Sequence, residues 1–186
     1  MGIENMNPKT LHTECDSDGI LTITINANAD TMNVLNQQVM QEFFDITEDI
    51  KHNADIKAVI FISAKPDCFI AGADIHMLQQ TQTAAEATDI VHRAHTLLQS
   101  ISHSKKPFIA AINGVCLGAG YELSLACHYR IATNNTTTKI GLPEVMLGLL
   151  PGATGTTILS RLISLPAALD LMLTGKQLNA KRALRL

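Results

Sequence analysis

The stretch Asn113-Gly-Val-Cys-Leu-Gly-Ala-Gly-Tyr-Glu122, followed by Gly141-Leu-Pro-Glu144, governs how the rest of the chain is read. It sets two carboxylates about twenty residues apart, each just after a turn marked by glycine or proline. Three small residues, Gly118, Ala119 and Gly120, stand directly before the first of them. Small residues let a backbone N–H approach a ligand closely. If they also open a helix, its free N–H groups and its dipole favour negative charge. Together these features describe an oxyanion site beside a pair of acid–base groups, the equipment for chemistry next to a thioester carbonyl.

Outward from this stretch, the hydrophobic pattern alternates between two periods. Residues 20–26 alternate apolar residues with Thr, the period of a half-buried strand. Asn33 can cap a helix running to about residue 52, with Leu35, Val39, Phe43, Ile46 and Ile50 at helical spacing. The apolar runs 58–63 and 108–112 read as buried strands, the second ended by the Asn113-Gly114 turn. Between them lie a loop over 64–72, a short helix from Asp74 and a longer helix over 84–102. A helix over 118–127, a strand over 129–133, a polar loop over 134–138 and an extended Ile140 come next. Pro143 suits a helix's first turn. Helices over 158–163 and 166–173 follow, with Gly175 as the stop. Residues 1–18 read as a loose lead-in, and the domain is placed over 12–186 after a flexible 1–11. The repeated strand–helix order indicates an α/β architecture with right-handed crossovers. It leaves open whether the strands form one doubly wound, Rossmann-like sheet or some other arrangement. The last segment, from Leu178, begins a helix that stops at Ala183-Leu-Arg-Leu with no cap or breaker, which reads as a domain cut from a longer chain.

Composition narrows the functional classes. The chain has 186 residues, 46% hydrophobic and 17% charged, enough for one sizeable core. A net charge of −3 without a basic block gives nucleic-acid binding little support. No apolar run approaches the roughly 20 residues of a membrane helix, and the N-terminus lacks a signal-peptide core. The four cysteines, Cys15, Cys68, Cys116 and Cys127, are irregularly spaced and read as reduced thiols of a cytoplasmic protein. His92 and His95 sit three apart on one predicted helix, but nothing completes a metal-ligand set, so they read as solvated and no metal is expected. Gly152-Ala-Thr-Gly-Thr-Thr157 lacks the Lys-Ser/Thr ending of a phosphate loop.

Four loci invite a joint chemical reading: Phe69-Ile-Ala-Gly-Ala-Asp-Ile75, the Gly118-Ala-Gly120 turn, Glu122, and Pro143-Glu144 with Pro151-Gly-Ala-Thr-Gly155 downstream. One N–H from each small-residue turn could hold a carbonyl oxygen, and such a donor contributes about 3 kcal/mol against developing charge. The polarised thioester acquires an acidic Cα proton, which a carboxylate tuned by burial can move. A second carboxylate can orient or deprotonate water. Taken singly, each locus has an ordinary reading: a common glycine turn, an acidic residue suited to a helix start, a solvated glutamate. Their combination and order carry the case.

In that combination the chain resembles the enoyl-CoA hydratase/isomerase, or crotonase, superfamily. The matching pieces are Phe69–Ile75, Ile112-Asn-Gly-Val-Cys-Leu-Gly-Ala-Gly-Tyr-Glu122, Ala126-Cys-His-Tyr-Arg-Ile-Ala132 and Gly141-Leu-Pro-Glu-Val-Met-Leu-Gly-Leu-Leu-Pro-Gly152. The wording around Cys127, Pro143 and Thr174-Gly-Lys-Gln-Leu178 is most similar to the N-terminal domain of the multifunctional α-subunit of fatty-acid β-oxidation. The resemblance implies a spiral of ββα turns, with a C-terminal helical segment truncated here, and hydration of trans-2-enoyl-CoA with isomerisation of shifted double bonds at the same site. It implies Ala73 and Ala119 as oxyanion-hole donors, Glu122 and Glu144 as the catalytic pair, Gly152 as the water-positioning residue, and Ala71, Gly72, Asp74, Gly118 and Gly120 around the substrate. No cofactor is implied for hydration, CoA being part of the substrate. NAD would belong to a downstream dehydrogenase domain. Implied partners are further copies in a trimer-based assembly or a thiolase β-subunit.

The chain departs from the family pattern at Ala119, where a glycine is usual, at Thr154, which adds bulk near the water site, and at His76, where a lysine is frequent. Two rival functions stay in view. One keeps the fold and changes the reaction, to isomerase only or acyl-CoA hydrolase. The other is a non-catalytic acyl-CoA-binding or assembly domain. The presence of both glutamates argues for hydration, because adding water calls for two positioned groups.

Overall fold

A computed structural model describes residues 9–27 and 32–186. The strand pattern expected over 20–26 appears as β2 (Ile20–Ile25), which buries Leu21, Ile23 and Ile25 on one face. It is preceded by β1 (Leu11–Cys15), antiparallel to it. The lead-in expected up to residue 18 therefore contains a sheet strand, and the boundary expected at residue 12 falls inside it. Glu42 explains why: its carboxylate accepts the Thr10 and Leu11 N–H groups and the Thr10 hydroxyl, at 2.8–3.2 Å. Residues 1–8 of the expected lead-in lie outside the described residues.

The first helix, α1 (Gln37–His52), begins later than its periodicity suggested. Its cap is Asn36, whose side chain accepts from Val39 N–H at 2.9 Å. Asn33 is instead fully buried. Its Oδ1 accepts Ala27 N–H, and its Nδ2 donates to Ile25 O, Ser63 Oγ and Phe69 O. A second Asn three residues on competes for the cap, and the apolar period does not separate the two. Lys106 Nζ donates to the Ile50 and Asn53 carbonyls, placing a cation at the negative end of α1.

From there each turn of chain supplies two strands and then helix. β3 (Ala58–Ser63) and β4 (Cys68–Ile70) are followed by α2 (Ile75–Gln80) and α3 (Ala84–Ser102). β5 (Phe108–Ile112) and β6 (Val115–Leu117) are followed by α4 (Ala119–Ala126). β7 (Tyr129–Ala132) and β8 (Lys139–Gly141) lead through a 3-10 turn (Glu144–Leu147) to α5 (Gly155–Leu162), α6 (Leu165–Thr174) and α7 (Ala180–Ala183). The first strand of each pair joins a sheet ordered β1-β2-β3-β5-β7; the second joins a smaller parallel sheet ordered β4-β6-β8. A doubly wound fold would place all of them in one sheet. The structure is the ββα spiral, and the alternative left open by the strand–helix order is excluded.

The core lies between the large sheet and α1, α3 and α4. Alternate residues of β3 and β5, among them Val59, Phe61, Phe108 and Ala110, are buried. Phe61 meets Phe43 of α1 edge-on at 5.4 Å and Phe108 at 5.6 Å between ring centroids, a preferred aromatic geometry. Burial pushes the Cys116 thiol up to about 12 and raises that of Cys127, so both behave as small apolar groups.

Candidate active site

Helix α4 is short and buried along almost its whole length. It starts where Gly118 takes φ 53, a conformation that side chains rarely adopt. Its Cβ, if present, would sit 3.1 Å from Glu144 Oε1 and 3.8 Å from Gly72 Cα. Gly118 therefore fixes where three of the four sequence loci meet. At the other end of α4, Arg130 Nη1 donates to the Ser124, Leu125 and Cys127 carbonyls at 2.7–3.4 Å, closing the helix's C-terminus. Gly120 faces β4, where a Cβ would fall 2.4 Å from Ile70 O. Helix-on-strand packing explains its smallness, and it does not line the cavity described below.

Residues 71–74 are sewn to residues 33–35. Ala71 N–H donates to Asn33 O, Leu35 N–H to Gly72 O, and Asp74 N–H to Leu35 O. Asp74 also caps α2, accepting from His76 N–H at 2.9 Å. Ala73 N–H is left without a partner among the described hydrogen bonds, as is Ala119 N–H in the first turn of α4. Ala73 and Ala119 border one cavity of about 310 Å³. Its walls are largely apolar, with Met40, Phe43, Met77, Ile90, Leu98 and Leu123 among them, and Gln80, Glu86 and Arg93 add polar groups. Two residues whose N–H groups have no described partner thus line a chamber whose apolar walls suit a hydrocarbon chain.

Glu122, for which a solvated position was the ordinary reading, is only 2% exposed. Its Oε1 accepts three successive backbone N–H groups: Ala153 at 2.9 Å, Thr154 at 2.9 Å and Gly155 at 2.7 Å. These three open α5, so the carboxylate lies against the helix's positive end. Glycine suits this approach, since a Cβ at position 155 would lie 3.0 Å from both Glu122 Oε1 and Leu142 Cδ1, tighter than ordinary contact. None of the three contacts uses Oε2.

Glu144 has different surroundings. It opens the 3-10 turn after Pro143, and its Oε2 is buried with no hydrogen-bond partner. Burial, with a further push from the Glu122 charge, raises its carboxyl to about 7, although its own backbone N–H acts the other way. Gly175 passes beside the turn: a Cβ there would fall 2.8 Å from Met146 Cγ and 3.4 Å from Pro143 Cα. Downstream, Gly152 is exposed; its N–H has no partner among the described hydrogen bonds, while its carbonyl lies 2.7 Å from His95 Nε2. His95 and the Asn33 hub are the two contributors the sequence did not flag for this site. For His95, helical position alone carries no signal of a partner in a loop 57 residues away. Among the described residues, no group of three His, Cys, Asp or Glu could hold a metal ion.

The spiral of ββα turns and the two glutamates in unequal surroundings define a class. The profile of the enoyl-CoA hydratase/isomerase family matches residues 16–186, and the chain belongs to that family. Among sequence relatives, it is 44% identical over 178 residues to the fatty acid oxidation complex subunit alpha of Shewanella halifaxensis, covering 96% of this chain and 25% of that protein. The corresponding subunit of Shewanella loihica is 46% identical over 169 residues, covering 91% and 24%. The chain thus spans about a quarter of the length of these relatives. Among solved structures, an enoyl-CoA hydratase from Geobacillus kaustophilus superposes with a TM-score of 0.89 at 35% identity, covering 96% of this chain and 66% of that one. An enoyl-CoA hydratase from Bacillus anthracis gives 0.86 at 32% identity, covering 94% and 66%.

Proposed function

We propose that this chain adds water in syn fashion across the double bond of a trans-2-enoyl-CoA, as the hydratase part of a multifunctional β-oxidation subunit. The observation that carries the reading is the inequality of the two glutamates: Glu122 Oε1 is held by three backbone N–H groups, one of them from Ala153 in the cavity wall, while Glu144 Oε2 is buried without a partner. The thioester oxygen would lie against Ala73 and Ala119 N–H, each donor contributing about 3 kcal/mol as negative charge develops there. Glu122, held through Oε1, keeps its other oxygen for water. As the water oxygen bonds to C3, Glu122 takes one of its protons. Glu144, with a carboxyl raised to about 7, carries a proton near neutrality and gives it to C2. Proton exchange with solvent then resets the pair. The same Glu144 could shift a double bond by moving a proton between C2 and C4, a reaction that needs one proton carrier and no bound water.

Assembly is part of this reading. Met146, Leu147, Leu150, Leu165 and Leu173 are exposed apolar side chains on the 3-10 turn, the segment after it and α6, and such surface often meets a partner. Further copies of the chain, or a thiolase β-subunit, are the proposed partners. The buried, free Cys68, Cys116 and Cys127 fit a reducing cytoplasm.

The test is hydration of a short trans-2-enoyl-CoA by the chain and by Glu122→Gln and Glu144→Gln, with a 3-enoyl-CoA as second substrate. Hydration that collapses in both variants supports the proposal. Isomerisation that survives Glu122→Gln, without hydration in the parent, would select the isomerase instead. Thioester binding with neither reaction would point to a non-catalytic domain.

A further inference from the structure

His95 lies on α3, the helix that walls the cavity through Ala94, Leu97 and Leu98. Its Nε2 is 2.7 Å from the Gly152 carbonyl. A carbonyl only accepts, so the imidazole carries a proton on Nε2 for this bond. Gly152 C=O and Ala153 N–H are two ends of one peptide group. The N–H end donates to Glu122 Oε1 at 2.9 Å. In a trans peptide these ends point in opposite directions, so His95 grips one side of the plane and Glu122 the other. Among the described hydrogen bonds, His95 supplies the only one that reaches residues 150–152. The imidazole itself is anchored by a helix whose Leu97, Leu98 and Ile101 are in the core.

We propose that His95 is a positioning residue for Glu122: it locks the 152–153 peptide so that Ala153 N–H stays on the carboxylate. A donor on the carbonyl also polarises the peptide and strengthens its N–H as a donor. The inference rests on the hydratase reading for the meaning of Glu122, and on the geometry alone for the hold on the peptide. The competing account is a half-exposed histidine that merely braces a loop, which would affect stability and leave turnover per folded molecule unchanged.

The experiment compares the parent with His95→Ala and His95→Gln, since a Gln side chain can still offer N–H to the carbonyl. Three readouts are taken: kcat and KM for a short trans-2-enoyl-CoA, hydrogen exchange of the amides of residues 153–155, and thermal unfolding. His95→Ala should lower kcat roughly five- to tenfold, the equivalent of one net hydrogen bond. KM should stay within about twofold of the parent, because His95 does not line the cavity. Exchange should rise at residues 153–155 while the β5 amides stay as they are. His95→Gln should recover most of both losses. Unchanged exchange at 153–155 in His95→Ala overturns the proposal whatever the activity. So does an unchanged kcat in an active background, or an equal loss in the Ala and Gln variants. A parent that hydrates nothing would sink the hydratase reading, and the exchange result would still decide the hold of His95 on the peptide.

Discussion

Replacing Glu144 by Gln should move stability and activity in opposite directions, and only above a defined pH. The cause is the buried, unpartnered Oε2 and the neighbouring Glu122 charge, which raise the carboxyl from an ordinary 4.5 to about 7. Between those values the folded protein holds a proton on Glu144 that the unfolded chain has released. Stability from this group is therefore fully present below 4.5 and is lost as pH rises through 7. At about 1.4 kcal/mol per tenfold change in proton affinity, the full loss would be roughly 3 kcal/mol. The side chain is partly exposed, and solvent screening reduces this to about 1–2 kcal/mol. Gln cannot ionise, so the variant escapes the penalty. Urea unfolding at pH 5 and pH 8 should show the parent losing that amount relative to Glu144→Gln. In the same samples, hydration should fall by about 10²–10⁴-fold in the variant, the usual worth of a positioned proton carrier. A stability difference that is flat with pH would refute the raised carboxyl. Full turnover in the variant would refute the proton transfer.

Glu122→Gln keeps the shape but meets three N–H groups with a neutral amide. Turnover should collapse, and stability should fall by about 1–3 kcal/mol by denaturant unfolding; retained hydration would remove Glu122 from the chemistry. Asn33→Ala strands Ala27 N–H and removes the donor to Phe69 O, so about 3 kcal/mol should be lost, and a loss below about 0.5 kcal/mol would show that the hub is dispensable. Gly155→Ala forces a methyl to 3.0 Å from both Glu122 Oε1 and the buried Leu142. It should cost about 1–3 kcal/mol as overpacking and reduce kcat as the carboxylate shifts. A thermal midpoint and kcat both equal to the parent's would show that the cradle yields without consequence.

The long, strongly periodic elements were legible: α3 runs from 84 to 102 as its apolar stripe indicated, and β3 and β5 coincide with the apolar runs. The shortest strands were less so, although an extended Ile140, inside β8, was anticipated. β4, β6 and β8 have three residues each, too few for any period to show. Their register is set by neighbours in the second sheet, which a local pattern does not contain. β1 escaped for a similar reason, since its only buried residue is Leu11 and its tie to the body is Glu42, far along the chain. The cap was placed at Asn33 rather than Asn36 because both can cap, and only tertiary burial separates them. The site glutamates could be picked out by motif, yet their unequal environments could not: the three N–H groups around Glu122 come from residues 31–33 positions away.

Those three short strands are what assembles the site. β4 ends at Ile70, three residues before Ala73; β6 ends at Leu117, two before Ala119; β8 ends at Gly141, three before Glu144. The strands are parallel and adjacent in the order β4-β6-β8, so their C-terminal ends lie on one edge. Parallel sheets commonly bind ligands beyond that edge. Here each of the three turns delivers part of the proposed site there: Ala73 after β4, Ala119 and Glu122 after β6, and Glu144 after β8. The following helix returns its N-terminus to Glu122, which completes the carboxylate's cradle. This explains why the sequence spacing of the loci is irregular while their spatial spacing is close. The intervening helices and large-sheet strands set the chain distance, and the small sheet sets the contact, as in the 3.1 Å approach between the Gly118 Cβ position and Glu144 Oε1. A change in α1 or the large sheet should therefore cost stability first. A shift of register among β4, β6 and β8 would displace donors and carboxylates together and abolish the chemistry in a folded protein.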